Sequence, residues 1–253
     1  MSSEQNKVIL RAEHISKTYG EKKVLEDISI YLEQGELVSL LGVSGSGKTT
    51  LFNVLSGIIP PDEGKVYLKD QDVTSTPGSI SYMLQKDLLL PHKKVIDNVA
   101  LPLVLKGVKK AEAREKANPL FAEFGLEGTQ YQYPSQLSGG MRQRAALLRT
   151  YLSSSGVALL DEPFSARDTL TKASVHKWYL EVMQHIDLST IFITHDIDEA
   201  LYLADRILIL CGSPASIVKE INLHEVVKSR DWLFTQGEQR KEIYSLLRGE
   251  SHA

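Results

Sequence analysis

A glycine- and serine-rich segment, GVSGSGKT at residues 42–49, has the residue types and spacing of a phosphate-binding loop. It follows the apolar residues 37–41, which predict a buried strand, and precedes a predicted helix at residues 48–55. Glycines let the backbone turn its N–H groups toward an anion, and the helix N-terminus adds partial positive charge. This context favours a nucleotide-phosphate site over a glycine-rich loop with an unrelated lysine. The predicted contact residues are Gly42, Ser44, Gly45, Ser46, Gly47, Lys48, Thr49 and Thr50.

Two carboxylates follow another apolar segment, VALL at residues 157–160. A buried strand would deliver Asp161 to the edge of a sheet, where phosphate-loop enzymes hold Mg²⁺, and Thr49 could offer that ion its hydroxyl. Glu162 comes one residue later and points elsewhere, which suits a group that orients or deprotonates an attacking water. A bare Asp-Glu pair after a strand is more often a loop start or a helix cap. The phosphate loop earlier in the chain favours the catalytic interpretation.

The sequence LSGGMRQR at residues 137–144 predicts a second anion-binding device. Ser138 is a preferred N-cap residue, and Gly139 and Gly140 permit close approach of the backbone at a helix N-terminus. The apolar residues of this helix recur at spacings of four, three and four, and they are Met141, Ala145, Leu148 and Leu152. A capped helix with a glycine turn and no ligand is the alternative, and this motif alone does not decide between the two.

Together these motifs resemble those of the ABC ATPase family, over nearly the whole chain. The resemblance implies that Tyr19 stacks on adenine, although a single tyrosine is more often a core residue. It implies that Gln85 contacts Mg²⁺ and senses a transmembrane partner. It also implies that His195 contacts the γ-phosphate, although a histidine after a strand is otherwise usually structural. The loop SARD at residues 165–168 departs from the family pattern, since Arg167 replaces an apolar residue at the family's dimer contact.

The resemblance further implies a mechanism with ATP and Mg²⁺ as cofactors. Two subunits would face each other head to tail, with ATP between the phosphate loop of one and the 137–144 motif of the other. The implied catalytic residues are Glu162, His195, Gln85 and Lys48. The implied magnesium ligands are Thr49, Gln85 and Asp161. The second protomer would contribute Ser138, Gly139 and Gly140 to the nucleotide.

Residues 85–92, 137–150 and 240–247 are similar to the branch of importers for nitrate, sulfonate, taurine and thiamine precursors. That branch implies solute import through a separate integral membrane permease, with an extracytoplasmic solute-binding protein as an indirect partner. The chain would be cytoplasmic and peripheral on the inner face of the cell membrane. An exporter or lipoprotein-extraction ATPase and a non-transport ABC protein are the alternatives. The sequence does not identify the transported solute.

The motifs need a sheet whose strand ends carry them, and short apolar strands do alternate with helices along the chain. This alternation predicts an α/β fold with a mainly parallel sheet core and an inserted helical subdomain. The resemblance further implies a P-loop NTPase of the ABC ATPase type, with an antiparallel β subdomain beside the core. We assign residues 1–253 to a single ATPase domain, the helical subdomain to about 88–152, and a short helical appendage to 222–253. The predicted strands are 8–13, 28–33, 37–41, 65–68, 79–83, 157–161, 190–194, 206–210 and 216–221. The predicted helices outside the subdomain are 48–55, 169–186, 198–204 and 238–247.

Composition sets limits on partners and compartment. The 29 Lys and Arg residues against 32 Asp and Glu give a net charge of −3. The basic residues form no tail or stripe in the sequence, so we expect no nucleic-acid partner. The single cysteine, Cys211, lies in an apolar run and is expected to be a buried thiol in a reducing compartment. No apolar run approaches the ~20 residues of a membrane helix, and residues 1–7 lack the pattern of a signal peptide. The leucines at residues 88–90 are expected either to line a groove that receives a membrane partner or to belong to the core.

Overall fold

The computed structural model describes residues 7–164, 169–224, 226 and 228–249. The chain divides into two compact units, which we name by their place in the sequence. The core unit consists of residues 1–80 and 189–253, and the insert unit consists of residues 81–188.

The elements follow one another in the order of a core unit interrupted by the insert. The core unit begins with β1 (Val8–Tyr19), β2 (Lys22–Glu33), β3 (Leu37–Leu41), α1 (Lys48–Leu55), β4 (Glu63–Leu68) and β5 (Gln71–Asp72). The insert unit contains β6 (Ser81–Met83), α2 (Val95–Val99), α3 (Leu101–Leu105), α4 (Lys110–Ala117), α5 (Leu120–Glu123), α6 (Gly139–Ser153), β7 (Val157–Asp161) and α7 (Thr169–Met183). The core unit resumes with β8 (Ser189–Thr194), α8 (Ile197–Leu203), β9 (Arg206–Gly212), β10 (Ala215–Asn222), α9 (Arg230–Thr235) and α10 (Gly237–Arg248).

Within the core unit, the strands lie in the order β5-β4-β1-β2-β10-β9-β3-β8. β3 runs parallel to both β8 and β9, whereas β1 is antiparallel to both β2 and β4. Every residue of β3 and of β8 is buried. Burial on both faces explains why β3 is almost wholly apolar, whereas β8 combines an apolar centre with buried Ser and Thr residues at its two ends. The sheet therefore combines a parallel centre with an antiparallel region, as the sequence predicted.

The predicted element bounds match best where the apolar pattern is continuous. The predictions for β3, α1 and β7 agree with the structure at both ends. β1 and β2 have 12 residues each and extend beyond the predicted segments, because exposed and buried positions alternate along them. β5 was missed because both of its residues are exposed, and α9 was missed as well.

In the insert unit, β6 runs parallel to β7, with Ser81 opposite Ala158. The helices α2 to α6 follow one another between residues 95 and 153, in keeping with the helical content predicted for 88–152. The bounds of a separate subdomain there stay a prediction. α6 is buried more widely than its predicted apolar stripe, since all four residues at positions 145–148 are buried whereas Met141 and Leu152 are only half-buried.

α7 ends at Met183, three residues before its predicted end at residue 186. The spacing of Val175, Tyr179, Val182 and Ile186 predicts its apolar face. Val175 is half-buried and the other three are buried, although Ile186 lies beyond the end of the helix. The spacing pattern therefore located the buried face correctly and overestimated the length of the helix.

The C-terminal helices pack on the core unit. Lys219 Nζ lies 2.6 Å from Glu242 Oε1, and Arg240 Nε lies 2.5 Å from Asp198 Oδ1 in α8. The Cys211 thiol is buried, as predicted, and donates to the backbone carbonyl of Leu246 at 3.4 Å. Burial raises the pKa of this thiol. The predicted appendage is thus attached to the sheet by side-chain contacts at several points.

A buried ion pair lies where β3 and β9 begin. Arg206 Nε donates to Glu36 Oε1 at 2.7 Å, and both side chains are only 1% exposed. The guanidinium also donates to the Tyr31 carbonyl at 2.7 Å and lies 3.8 Å from the centre of the Tyr31 ring. Several partners thus compensate the burial of this charge.

None of the described helices is both long enough and apolar enough to cross a membrane.

Candidate functional site

The phosphate loop joins β3 to α1, as its sequence context predicted. Gly45 and Gly47 have φ values of 80° and 92°, a conformation that L side chains adopt rarely. Gly47 is also the N-cap residue of α1, so the loop leads directly into the helix N-terminus. Gly42 has no room for a side chain, since an added Cβ would lie 2.7 Å from both the Leu210 carbonyl oxygen and Ser46 Oγ. The backbone of the loop thus requires glycine at these three positions.

Two polar side chains of this loop, Lys48 and Ser46, are buried. The Lys48 ammonium group donates to the backbone carbonyls of Gly42 at 2.8 Å and Val43 at 2.7 Å. Ser46 Oγ is buried and has no hydrogen-bond partner among the described protein atoms. A buried hydroxyl without a partner is unfavourable, and an anion in the loop would satisfy it. A lysine, a hydroxyl donor and a helix N-terminus in one loop fit a phosphate group.

His195 leaves the sheet beside the phosphate loop. Leu41, the last residue of β3, lies opposite Thr194, the last residue of β8. Because these strands are parallel neighbours, Gly42 and His195 follow them at the same edge of the sheet. His195 is exposed. The core unit therefore brings the predicted histidine and the predicted phosphate loop together.

Tyr19 ends β1 and is exposed, which suits a ring that stacks on a ligand better than a core residue. Its strand end is held by Asp62, whose carboxylate accepts from the backbone N–H of Thr18 at 2.6 Å and from Lys17 Nζ at 2.8 Å. These donors lower the pKa of Asp62, with Lys17 as the largest cause. The next strand, β2, reaches the phosphate loop, because Leu25 and Val24 lie where a Cβ on Gly47 would be.

The predicted carboxylates lie at the end of β7 in the insert unit. The Tyr82 hydroxyl donates to Asp161 Oδ2 at 3.4 Å, and burial together with this charge raises the pKa of Tyr82. Glu162 has a φ of 46°, which is strained for a residue with a side chain. Gln85 Nε2 donates to Glu162 Oε2 at 2.7 Å. The insert unit therefore joins Gln85 to Glu162, the residue after Asp161, whereas contact of Gln85 and Asp161 with Mg²⁺ stays a prediction.

The second glycine cluster begins α6, also in the insert unit. Ser138 is the N-cap residue, and its hydroxyl accepts from the Met141 N–H at 3.2 Å. Among the described atoms, an added Cβ would meet nothing within 4 Å at Gly140, and only the end of the Arg142 side chain, at 3.9 Å, at Gly139. The helix N-terminus is therefore open to an approaching anion. This confirms the predicted cap, whereas ligand contact by these residues stays a prediction.

Two arginines of α6 shape the segment after Gln85, and the sequence reasoning missed them. Arg149 donates to the backbone carbonyls of Asp87 at 2.6 Å and of Leu88 at 3.0 Å. Arg142 Nε lies 3.1 Å from the Asp87 carboxylate. The two arginines are seven residues apart, a helical spacing that could have indicated a shared face. They fix a turn in which Leu88 has a φ of 44°.

The three leucines at residues 88–90 have different environments. Leu89 is 8% exposed and belongs to the core, whereas Leu88 is 53% exposed. Leu84 is exposed as well. The core alternative is therefore correct for Leu89, and Leu88 remains available for the predicted contact with a membrane partner.

The predicted site residues fall into two groups. The phosphate loop, Tyr19 and His195 belong to the core unit, whereas Gln85, residues 161–162 and residues 138–140 belong to the insert unit. The proposed magnesium set contains a single carboxylate; among the described residues no group of three or more His, Cys, Asp or Glu side chains could hold a metal ion. The loop at 165–168, with Arg167, lies outside the described residues.

Comparison with known proteins supports the fold and the family. Residues 25–165 match the family model described as ABC transporter. The chain is 39% identical over 251 residues to the formylaminopyrimidine import ATP-binding protein ThiZ of Halalkalibacterium halodurans, covering 97% of this chain and 98% of the relative. It is 36% identical over 237 residues to the taurine import ATP-binding protein TauB of Escherichia coli O157:H7, covering 94% of this chain and 91% of the relative.

Solved structures give the same result. The dimeric structure of MJ0796, a bacterial ABC transporter cassette, aligns with a TM-score of 0.72 at 27% identity, covering 85% of this chain and 99% of that chain. The same cassette in a post-hydrolysis state bound to ADP and Pi aligns with a TM-score of 0.71 at 28% identity, covering the same shares of the two chains. The predicted fold class is therefore confirmed. The chain belongs to the ABC transporter family and is an ATP-binding, ATP-hydrolysing cassette of that family.

Proposed function

We propose that this chain is the ATPase subunit of a solute importer. The observation that carries the proposal is its similarity, over 97% of its length, to an import ATP-binding protein. A second import ATP-binding protein, for taurine, is similar over 94% of the chain. These two relatives are named for different solutes, so the proposal does not extend to a solute. The family pattern, together with the geometry within each unit, supports a role for each site residue.

In the core unit, the loop residues bind the phosphates. The Lys48 ammonium exchanges its two carbonyl partners in the loop for phosphate oxygens, and the Ser46 hydroxyl gains the acceptor it lacks. Backbone N–H groups of the loop and of the α1 N-terminus add further donors. Tyr19, exposed at the end of β1, stacks on the adenine ring. His195 contacts the γ-phosphate from the neighbouring strand end.

In the insert unit, Glu162 acts as the general base that orients and deprotonates the attacking water. Gln85 holds the Glu162 carboxylate through its amide, at 2.7 Å. Mg²⁺, when bound, neutralises charge on the phosphates, and we propose Thr49, Gln85 and Asp161 as the residues that hold it. All three have oxygen atoms of the kind that this ion prefers.

Two copies of the chain form the working unit. Each phosphate loop supplies donors on one side of the triphosphate, and Ser138, Gly139 and Gly140 of the second copy supply donors on the other. Charge that develops on the γ-phosphate is then surrounded by dipoles and cations, and bulk solvent other than the attacking water is excluded. ATP binding closes the pair and hydrolysis reopens it, which provides the conformational work for transport.

The remaining partners belong to the transport complex. We propose an integral membrane permease that receives the conformational work, and an extracytoplasmic solute-binding protein that acts through the permease. The ATPase would then lie on the cytoplasmic side, peripheral to the membrane. Leu84 and Leu88, exposed on either side of Gln85, are our candidates for the permease contact.

Reconstitution tests the importer proposal. The chain is co-purified with the permease encoded beside its gene and placed in proteoliposomes, with the binding protein and its solute on the outside. We expect ATPase activity to rise when the loaded binding protein is added, and solute to accumulate inside. If the ATPase activity does not change when the loaded binding protein is added, and solute moves outward, the chain would be assigned to an exporter instead. Glu162→Gln serves as the inactive control.

A further inference from the structure

The residues on both sides of His195 are locked by a small buried hydrogen-bond network. Thr194, immediately before the histidine, is 2% exposed, and Glu199, one turn into α8, is 4% exposed. The Thr194 hydroxyl donates to a carboxylate oxygen of Glu199. The same hydroxyl accepts from the backbone N–H of Asp196 at 3.0 Å. A single hydroxyl thus links α8 to the backbone on each side of His195.

Asp196 adds a second link in the same direction. It is the N-cap residue of α8, and its Oδ1 accepts from the N–H groups of Asp198 at 3.0 Å and Glu199 at 3.2 Å. Thr194 is at the same time the last paired residue of β8, opposite Leu41 of β3. The backbone direction at residue 195 is therefore set by a strand on one side and a capped helix on the other.

We propose that Glu199, acting through Thr194, is a positioning residue for His195. His195 is exposed, so core packing does not fix its direction. The hydrogen bonds of Thr194 and Asp196 fix the backbone on either side of it, and a buried carboxylate that accepts from a buried hydroxyl is a strong and well-oriented anchor. Loss of this anchor would let the strand end and α8 separate, which would move His195 relative to the phosphate loop. The proposal rests on the role of His195 at the γ-phosphate given above.

Substitution of Thr194 gives a matched pair of variants. Thr194→Val keeps the shape and removes the hydroxyl, whereas Thr194→Ser keeps the hydroxyl. We expect Thr194→Val to lower kcat at least about fivefold, with KM for ATP changed less than about twofold, because the loop and Tyr19 are untouched. Thr194→Ser should retain more than about half of the activity, since both hydrogen bonds can form. Equal kcat values for the two variants would overturn the proposal.

A double-mutant cycle separates positioning from general destabilisation. In a His195→Ala background, Thr194→Val should have almost no further effect on kcat, because the residue it positions is already gone. An undiminished fivefold loss in that background would show that the effect does not pass through His195, and would overturn the inference. Unfolding midpoints of all variants establish that folded protein is compared. If Thr194→Val does not fold, Glu199→Leu replaces it in the cycle, because leucine cannot accept from the Thr194 hydroxyl. The expectation is again a lower kcat that depends on His195.

The cycle also distinguishes this inference from the proposed function. Full turnover by His195→Ala would remove the histidine from the mechanism, and the positioning role with it. A slow His195→Ala variant beside a fully active Thr194→Val variant would leave the mechanism intact and refute only the role of the network.

Discussion

Replacement of Ser46 by alanine should change stability and nucleotide affinity in opposite directions. The Ser46 hydroxyl is buried and has no partner in the described part of the chain, and a buried hydroxyl without a partner costs about 1–3 kcal/mol. Its removal should therefore raise the free energy of unfolding of the nucleotide-free protein by about 1 kcal/mol. In the nucleotide complex the hydroxyl would donate to a phosphate oxygen, and a hydrogen bond to a charged group contributes about 1.5–3 kcal/mol. Ser46→Ala should then weaken ATP binding by about 12- to 150-fold.

Ser39 provides the control, because its hydroxyl is also buried, lacks a partner among the residues that the structure describes, and lies within β3. Ser39→Ala should raise the free energy of unfolding by a similar amount and leave ATP affinity unchanged. Urea unfolding without nucleotide gives the stabilities, and equilibrium titration with ATP gives the dissociation constants. If the two variants bind ATP equally well, the hydroxyl of Ser46 does not face the phosphates, and the interpretation of the loop is wrong.

Three further predictions follow from single positions. Gly42→Ala should lower the free energy of unfolding by about 1–3 kcal/mol, because the new Cβ would lie 2.7 Å from two oxygen atoms. Gly237→Ala is the control: its new Cβ would have no described atom within 4 Å, so the variant should be neutral or slightly stabilising in the same urea titration. Glu36→Ala should lower the free energy of unfolding by about 3–5 kcal/mol, as measured by thermal and urea unfolding, because it leaves Arg206 buried without its main partner. A decrease below about 1 kcal/mol would contradict this reasoning. Thr74 and Lys65 lower the pKa of Asp72 to about 2, so the contribution of Asp72 to stability is complete above its usual pKa and is lost as the pH falls toward 2. Asp72→Asn should therefore reduce the fall in unfolding free energy that is measured between about pH 5 and about pH 3. An unchanged dependence of the unfolding free energy on pH would argue against the shift.

The sequence predicts the parts of this molecule that depend on local pattern. β3 and β7 are predictable because a largely apolar run ends at a glycine or an acidic residue. α1 is predictable because it follows directly on the glycine-rich phosphate loop. The cap at Ser138 is predictable because serine is a preferred N-cap residue. Strand lengths are less predictable in β1 and β2, because their exposed residues continue the pairing without an apolar signal.

The contacts that complete the site could not be predicted, because they join residues distant in sequence or depend on burial. Arg149 and the Asp87 carbonyl are 62 residues apart, and only the fold brings them together. The link between Glu199 and Thr194 is local, yet a glutamate in the first turn of a helix is normally an exposed residue. Its significance becomes visible only when both side chains are found buried.

The Glu162→Gln variant gives access to the closed state. It removes the proposed base and keeps the shape of the side chain, so ATP should bind and remain intact. We expect its hydrolysis rate to fall by more than about 100-fold and a dimer to accumulate with ATP and Mg²⁺, as measured by light scattering. Turnover at the wild-type rate would remove Glu162 from the role of base.

The structure of this variant with ATP and Mg²⁺ is the most direct test of the two-copy arrangement. We predict two triphosphates per dimer, each bound by the phosphate loop of one copy, with the Ser138 hydroxyl and the Gly140 backbone N–H of the other copy at about 3 Å from γ-phosphate oxygens. A nucleotide that is contacted by one copy alone, with Ser138 far from any phosphate, would contradict the account.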